Sequence, residues 1–224
     1  AGDAAAHCLR MLGVREVDLL VLSHLHADHV GGLPEVLAAA TVHRALLTAH
    51  DAPVHAEGAV LEALAEAGAA VERPLAGAEG RLDDVTWHVL WPSARAMQLA
   101  TAGDDSVSND LSLAVLLHTP DLTVAAPGDL EPSGQRGLLG TLPPSTEVDF
   151  VLVPHHGSPA QLPALADALA APLALVSVGA DNDFGHPSPA TVELYSRGGA
   201  LVLRTDECGP IVLVPTSGGL AAHC

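Results

Sequence analysis

Residues 23–32 read SHLHADHVGG and directly follow the apolar run VDLLVL at residues 17–22. A continuous apolar run of this length predicts a strand that is buried on both faces. The segment after it carries three imidazoles and one carboxylate, which belong to His24, His26, Asp28 and His29. These groups are ligands for Zn²⁺, Mn²⁺ or Fe, and their alternate spacing lets them divide between two adjacent ions. We therefore predict a metal site here rather than a solvated histidine-rich loop.

Two further polar clusters follow predicted strands. Asp129 comes after the apolar segment that ends at Ala126, and Gly128 allows close backbone approach beside it. Together with the histidine segment, this carboxylate is a candidate bridge between two ions. His155 and His156 lie in PHHGS at residues 154–158. Successive residues on an extended chain face opposite ways, so we expect one of these histidines to bind metal and the other to act as an outer partner or an acid–base group.

Weaker candidates lie at the ends of other predicted elements. Asn109, Asp110, Ser158 and His186 are expected either to contact substrate or complete a coordination shell, or else to be ordinary turn residues. Asn182 belongs to the same kind of segment, GADNDFGHP at residues 179–187.

Composition limits the function classes. The 224 residues contain 27 Asp+Glu against 9 Lys+Arg, a formal charge of −18, which argues against broad electrostatic capture of nucleic acid. No apolar stretch reaches the roughly 18 residues that a membrane span needs. The three cysteines are far apart, so they indicate neither a disulfide framework nor a thiolate metal site.

Alternating strand and helix patterns predict an α/β fold that includes some hairpins. Helices are predicted over residues 33–40, 55–68, 131–139, 162–171 and 189–197. Strands are predicted over residues 17–22, 42–48, 85–90, 111–117, 122–126, 148–153 and 173–178, with a hairpin formed by 201–204 and 211–214. We expect one domain over residues 1–215 and a frayed tail over residues 216–224.

In these motifs the chain resembles the metallo-β-lactamase superfamily, and more closely the hydrolase-like domain of the ComEC/Rec family of competence proteins. The resemblance rests on SHLHADHVGG (23–32), SNDLSLAVLL (108–117), PGDLEP (127–132), VPHHGSP (153–159), VSVGADNDFGHPSP (176–189) and LRTDECGPIVL (203–213). It implies an αββα sandwich with the metals at one edge, from which the N-terminal strands of the family are missing.

The resemblance also implies a ligand set. His24 and His26 would hold the first ion, Asp28, His29 and His156 the second, and Asp129 would bridge them. Many superfamily members place another histidine where this chain has Asn109, so Asn109 or water would complete the first ion's shell. An oxygen-richer shell makes Mn²⁺ more plausible here than in a histidine-rich zinc site.

The implied activity is a metal-dependent phosphodiesterase that degrades a single DNA strand during natural transformation, using a metal-activated hydroxide. Asp28, His155 and His186 are the catalytic candidates, and Asn109, Ser158 and Asn182 the substrate-binding candidates. The domain would lie at the extracytoplasmic face of the membrane, with a channel domain in the same polypeptide. The alternatives are a hydrolase of a small ester, phosphoester or lactone, which suits the acidic surface better, and a degenerate binding module.

Overall fold

The computed structural model describes residues 3–216 and 219–223 as a mixed α/β structure. Helices α1–α9 span Asp3–Met11, Ala27–Val30, Leu33–Ala39, Val54–Glu66, Ala94–Leu99, Pro132–Thr141, Pro163–Leu169, Pro189–Arg197 and Thr205–Cys208. Strands β1–β14 span Glu16–Val17, Leu20–Leu22, Thr41–Val42, Arg44–Leu47, Ala70–Glu72, Glu79–Leu82, Val85–Trp91, Ala114–His118, Thr123–Ala126, Phe150–Leu152, Leu173–Val176, Leu201–Arg204, Val212–Thr216 and Gly219–His223.

Within these described residues, the strands form one large and one small sheet, together with two separate strand pairs. The large sheet has the order β12-β11-β10-β9-β8-β7-β6, and the small sheet has the order β2-β4-β5. Strands β9 to β12 run parallel, whereas β6 to β9 form an antiparallel meander. The small sheet is parallel throughout. Both sheets therefore direct several carboxyl-terminal strand ends toward loops that can carry a site.

The two sheets pack face to face and are covered by helices on their outer faces. Between the sheets lie the buried side chains of Leu46, Trp87, Val89, Leu113 and Val115. Successive side chains along a strand point to opposite faces of the sheet. Leu90, which follows Val89, therefore packs on the outer face of the large sheet, in the core that lies beneath the helices. Helices α6, α7 and α8 cover that sheet, and α3 and α4 cover the small one. This αββα sandwich confirms the predicted fold class.

Some element predictions were right and others were wrong. Helix α8 has the predicted bounds. The predicted strand over residues 17–22 is broken into β1 and β2. The predicted hairpin does not form, because β12 pairs in parallel with β11 after the α8 crossover. Strand β13 pairs instead with β14, so residues 219–223 of the expected frayed tail form a strand, while residues 217, 218 and 224 lie outside the described residues.

Two further findings concern the helices and the cysteines. Within residues 3–216 and 219–223, no helix combines the length and the apolar composition that crossing a membrane requires. Cys208 is disulfide-bonded, which the cysteine spacing did not indicate, and Cys8 is a free cysteine.

Candidate metal centre

Four of the predicted ligands converge at one edge of the sandwich. Asp28, His29, Asp129 and His156 each offer one ligand atom, and these atoms all lie within 4.8 Å of one another. The Asp129 Oδ2 atom is 3.2 Å from His29 Nε2 and 3.3 Å from His156 Nε2. His156 Nε2 is also 3.2 Å from Asp28 Oδ2. The group draws on three separate strand ends, those of β2, β9 and β10.

The donor atoms of this group fit a divalent cation. Donors that share one ion tetrahedrally at about 2.0–2.1 Å lie roughly 3.3 Å apart. His29 Nε2 and His156 Nε2 face each other at 3.2 Å, and a shared cation would satisfy both nitrogens when each presents a lone pair. The other ring nitrogen of His156 lies 2.7 Å from the Ser177 carbonyl oxygen. If Nδ1 carries the proton that this contact requires, Nε2 is left as the ligand atom.

Tight backbone geometry brings Asp129 to the centre. Gly128 precedes it with φ +62°, in the left-handed region that favours glycine. A Cβ atom at this position would lie 2.8 Å from the Cβ atoms of both Ser23 and Ser112. Any other residue at position 128 would therefore push the Asp129 loop away from the histidine segment.

His155 and His156 adopt an unusual backbone conformation. Both have positive φ, at 49° and 52°, within the short turn Pro154–Gly157. Such conformations cost on the order of 1–3 kcal/mol each for residues other than glycine and tend to occur at functional sites. The expectation from an extended chain was that the two rings face opposite ways. The turn instead leaves His155 Nε2 3.9 Å from Asp129 Oδ2, while His156 joins the four-residue group.

His24 and His26 lie beside this group but outside it. His24 is buried, with 1 % of its surface exposed, and its Nε2 is 3.1 Å from His26 Nδ1. His26 Nε2 in turn lies 3.0 Å from Asp105 Oδ1. On the inner side, the Ser112 hydroxyl accepts the Asp129 backbone N–H and lies 3.3 Å from His24 Nδ1. Ser112 therefore links His24 to the backbone of Asp129.

The pKa values show how strongly these groups are coupled. Hydrogen bonds to Asp129 and Asp28 raise the pKa of His156 to about 10. The hydrogen bond to His156 lowers the pKa of Asp28 to about 2. Burial alone would raise the pKa of Asp129, but the hydrogen bonds and charges of His156 and His29 lower it well below its usual range. Burial and the nearby His29 lower the pKa of His24 to about 3.

Several weaker candidates have hydrogen-bond partners outside the four-residue group. Asn109 Nδ2 donates to Glu131 Oε1 at 3.3 Å. Asp110 Oδ1 accepts the backbone N–H groups of Glu131 and Gly134, at 3.1 and 2.7 Å, and so caps helix α6. Ser158 is buried, and its hydroxyl accepts the Ala160 N–H. The hydrogen bonds of Asn109 Nδ2, Asp110 and Ser158 stabilise the fold around the site, whereas Asn109 Oδ1 is buried without a hydrogen-bond partner among the described residues.

The loop that carries Asn182 and His186 reaches the site from the side of β11. The Asn182 side chain donates to the carbonyl oxygens of Gly179 and His186, and it accepts the His186 N–H. Asn182 therefore shapes the loop. The His186 ring lies 5.6 Å from that of His155 between centroids. Burial lowers the pKa of His186, and the neighbouring His155 lowers it further.

Sequence reasoning missed three residues that contact predicted site residues. Asp105 contacts His26, Ser112 contacts His24, and Glu131 Oε1 lies 3.6 Å from His155 Nδ1. Single serines and carboxylates in polar loops carry no spacing signal, so only the folded chain shows their partners.

Comparisons with known proteins fit this geometry. A family model described as "Metallo-beta-lactamase superfamily" matches residues 5–179. The chain is 29% identical over 200 residues to "ComE operon protein 3" of Bacillus subtilis (strain 168), covering 89% of this chain and 25% of that protein. It is 28% identical over 216 residues to "Competence protein ComA" of Neisseria gonorrhoeae, covering 96% of this chain and 28% of that protein. The chain thus spans about a quarter of the length of these relatives.

Among solved structures, the fold is similar to CmlA, a diiron beta-hydroxylase from Streptomyces venezuelae. The TM-score is 0.52 at 15% sequence identity, covering 85% of this chain and 44% of that one. At this identity the likeness shows the fold alone.

Proposed function

The chain belongs to the metallo-beta-lactamase superfamily, and from this premise we propose that it is a metal-dependent phosphodiesterase that hydrolyses DNA as part of a ComEC-like competence protein. Membership in the superfamily and the group of metal donors together support the general activity of a metal-dependent hydrolase. The observation that carries the proposal is the convergence of Asp28, His29, Asp129 and His156 in a chain that matches competence relatives over 89% and 96% of its length.

The proposed cofactors are two divalent ions, Mn²⁺ or Zn²⁺. Asp28, His29 and His156 would hold one ion, His24 and His26 the other, with Asp129 shared between them. Such ions lower the pKa of a water molecule toward neutrality and withdraw charge from a phosphoryl oxygen. Imidazole and carboxylate donors suit either ion.

The residues of the chain itself would position the substrate and handle protons. Asp129 is almost fully buried, and the hydrogen bonds and charges of His156 and His29 hold its pKa below its usual range, so it keeps a fixed negative charge at the floor of the site. His155, with its Nε2 3.9 Å from that carboxylate, is placed to give a proton to the leaving oxygen. Burial lowers the pKa of His186 and so favours the neutral ring, which can donate a hydrogen bond from its N–H group to a phosphate oxygen.

The proposed substrate is single-stranded DNA, and the proposed partner is a membrane channel domain of the same polypeptide. The proposed location is the extracytoplasmic face of the bacterial cell membrane. The disulfide at Cys208 supports this placement, because disulfides persist mainly in oxidising compartments.

A second candidate function is hydrolysis of a small ester, phosphoester or lactone by the same centre. The formal charge of −18 favours it, since a polyanion would be repelled by most of the surface. Fold and metal site do not distinguish the two substrates.

The decisive experiment incubates end-labelled single-stranded DNA with the protein in EDTA, Zn²⁺ or Mn²⁺. Asp129→Ala is the test variant, and Asp121→Ala, in the exposed turn between β8 and β9, is the matched control. Metal-dependent cleavage that is lost in Asp129→Ala and kept in Asp121→Ala is the expected result. Turnover of bis-p-nitrophenyl phosphate without any DNA cleavage would contradict the nuclease and favour the small-substrate hydrolase.

A further inference from the structure

One large aromatic side chain lies exposed beside the candidate metal centre. Phe184 is 82 % exposed, although the chain contains only 2 Phe, 2 Trp and 1 Tyr. Its ring stacks on the His186 imidazole, with centroids 6.1 Å apart and an interplanar angle of 23°. The His186 ring lies next to that of His155, with centroids 5.6 Å apart, and His155 in turn lies next to Asp129. Phe184 is thus the outermost member of a row of rings that ends at the central carboxylate.

The loop beneath Phe184 is held in place by contacts that do not use the phenyl ring. Asn182 closes the loop with hydrogen bonds to Gly179 and His186. The Ser188 N–H donates to the Gly157 carbonyl oxygen at 2.8 Å. A Cβ atom at Gly157 would lie 2.6 Å from Pro187 Cβ, so the loop packs directly on the histidine turn. At 82 % exposure the ring buries little area, so folding does not explain the choice of phenylalanine.

The distribution of cations leaves little for binding a phosphate backbone. All nine basic residues are arginines. Five of them pair with nearby carboxylates, namely Arg44, Arg73, Arg81, Arg197 and Arg204. The ion pairs found for Asp28 and Asp129 among the described residues involve only histidines. Beyond the proposed metal ions, a nucleic-acid substrate would therefore need a source of affinity other than cationic side chains, and stacking of bases on aromatic rings is such a source.

We propose that Phe184, supported by His186, is a stacking platform for a nucleobase of a single-stranded nucleic-acid substrate next to the scissile phosphodiester. The inference rests on the proposed nuclease function and specifies how its substrate is recognised. Stacking is tolerant of base identity, because every base has a π-face, so the platform confers a preference for single strands without sequence specificity. A duplex keeps its bases stacked on each other and cannot use the platform.

The test measures binding and cleavage of two oligomers of equal length and charge. One is a fluorescein-labelled oligo-dT, and the other is the matching abasic deoxyribose-phosphate oligomer. Wild type, Phe184→Leu and Phe184→Trp are compared, with Leu99→Ala as a control that removes an exposed apolar side chain elsewhere. Fluorescence anisotropy in EDTA gives Kd, and Mn²⁺-dependent cleavage gives KM and kcat separately.

Phe184→Leu is expected to weaken oligo-dT binding and to raise KM by roughly 5- to 150-fold, with kcat little changed. Phe184→Trp is expected to retain the wild-type values, and Leu99→Ala to change nothing. On the abasic oligomer, wild type and Phe184→Leu are expected to bind equally weakly.

Three results would overturn the platform: unchanged oligo-dT binding in Phe184→Leu, an equal loss on both oligomers, or a loss in Phe184→Trp as large as in Phe184→Leu. Failure of the proposed function looks different, because wild type would then cleave no DNA with either metal. A cleaving wild type whose Phe184→Leu variant is unimpaired refutes only the platform. The exposed ring contributes little to stability, so equal Tm values are expected and exclude misfolding as the cause.

Discussion

Two polar segments beside buried strands look alike in the sequence and behave differently in the fold. The segment at residues 23–30 turns Asp28 and His29 toward Asp129, where their ligand atoms converge. The segment at residues 108–112 turns Asp110 away, onto the N-terminus of helix α6. A polar cluster at a strand end is therefore not sufficient to identify a site, because the direction of each side chain depends on what packs against it.

The two carboxylates also differ in the sign of their pKa shifts. Burial raises the pKa of Asp110, and the two backbone N–H groups that it accepts only partly oppose this effect. Burial acts on Asp129 in the same direction, but the hydrogen bonds and charges of His156 and His29 outweigh it and lower the pKa. A carboxylate that is stabilised as an anion in the interior is suited to hold a cation, whereas a merely buried one serves the fold.

We expect the greatest difference between Asp129 and Asp110 in the catalytic activity of their asparagine variants. Asp129→Asn removes the charge on which His29 and His156 converge, so kcat/KM for phosphodiester hydrolysis should fall by about a thousandfold or more. Asp110→Asn keeps an oxygen acceptor for helix α6 and should stay within about threefold of wild type, a change of less than about 1 kcal/mol in activation free energy. Steady-state kinetics in Mn²⁺ measure both, and comparable losses in the two variants would erase the distinction.

The second effect separates the adjacent histidines by metal affinity. His156→Ala removes a donor atom of the four-residue group, so its Zn²⁺ affinity should fall by more than about 100-fold. His155→Ala removes only a neighbour of Asp129, for which a loss of about 10-fold is expected. Isothermal titration calorimetry with Zn²⁺ measures the two constants. A larger loss in His155→Ala would reverse the assignment of the pair.

The third effect concerns stability at the α6 cap. Asp110→Ala leaves the Glu131 and Gly134 N–H groups without their acceptor and should cost about 1–2 kcal/mol of unfolding free energy. Asp110→Asn should be at least as stable as wild type at pH 7, since it avoids burying a charge. Urea unfolding measures both variants.

The pH dependence of stability in wild type and Asp110→Asn provides a control for this prediction. Because the folded-state pKa of Asp110 is raised, its contribution to stability is present below its unfolded pKa, about 3.9, and is lost as pH rises through the folded value. Wild type should therefore lose stability relative to Asp110→Asn as the pH is raised from about 4 to 7. A difference that grows in favour of wild type would show that the carboxylate charge is stabilising.

The smallest effect concerns Asn109. Its amide donates to Glu131, so Asn109→Ala should cost about 0.5–1.5 kcal/mol of stability and leave both Zn²⁺ binding and its stoichiometry unchanged. Calorimetry with Zn²⁺ and urea unfolding of the same preparation test this. Loss of one bound ion would restore Asn109 as a ligand of the first ion, the role that the family resemblance suggested.

Local patterns predicted much of the fold, and particular failures show their limits. Helix α8 begins at Pro189 after a Ser188 cap that accepts the Thr191 N–H, and these local signals gave its bounds correctly. Local signals do not predict the pairing partner of β12. The alternation of apolar and polar residues in β12 is the same whether it pairs with β11 or with the following strand. Strand pairing is a long-range choice that depends on the crossover connecting the strands.

Residue types along the chain establish which chemical groups are available and where they cluster. Histidine and aspartate at the ends of apolar strands specify a metal-binding composition, because that chemistry depends on residue type and local spacing. The folded structure establishes which of these groups meet. It brought Asp28 and His29 to Asp129 and His156 across 100 or more positions of the chain, turned Asp110 onto a helix and left Phe184 exposed at the rim. The physical reason is that contact requires the packing of two sheets, and no local pattern encodes the direction in which a side chain leaves its loop.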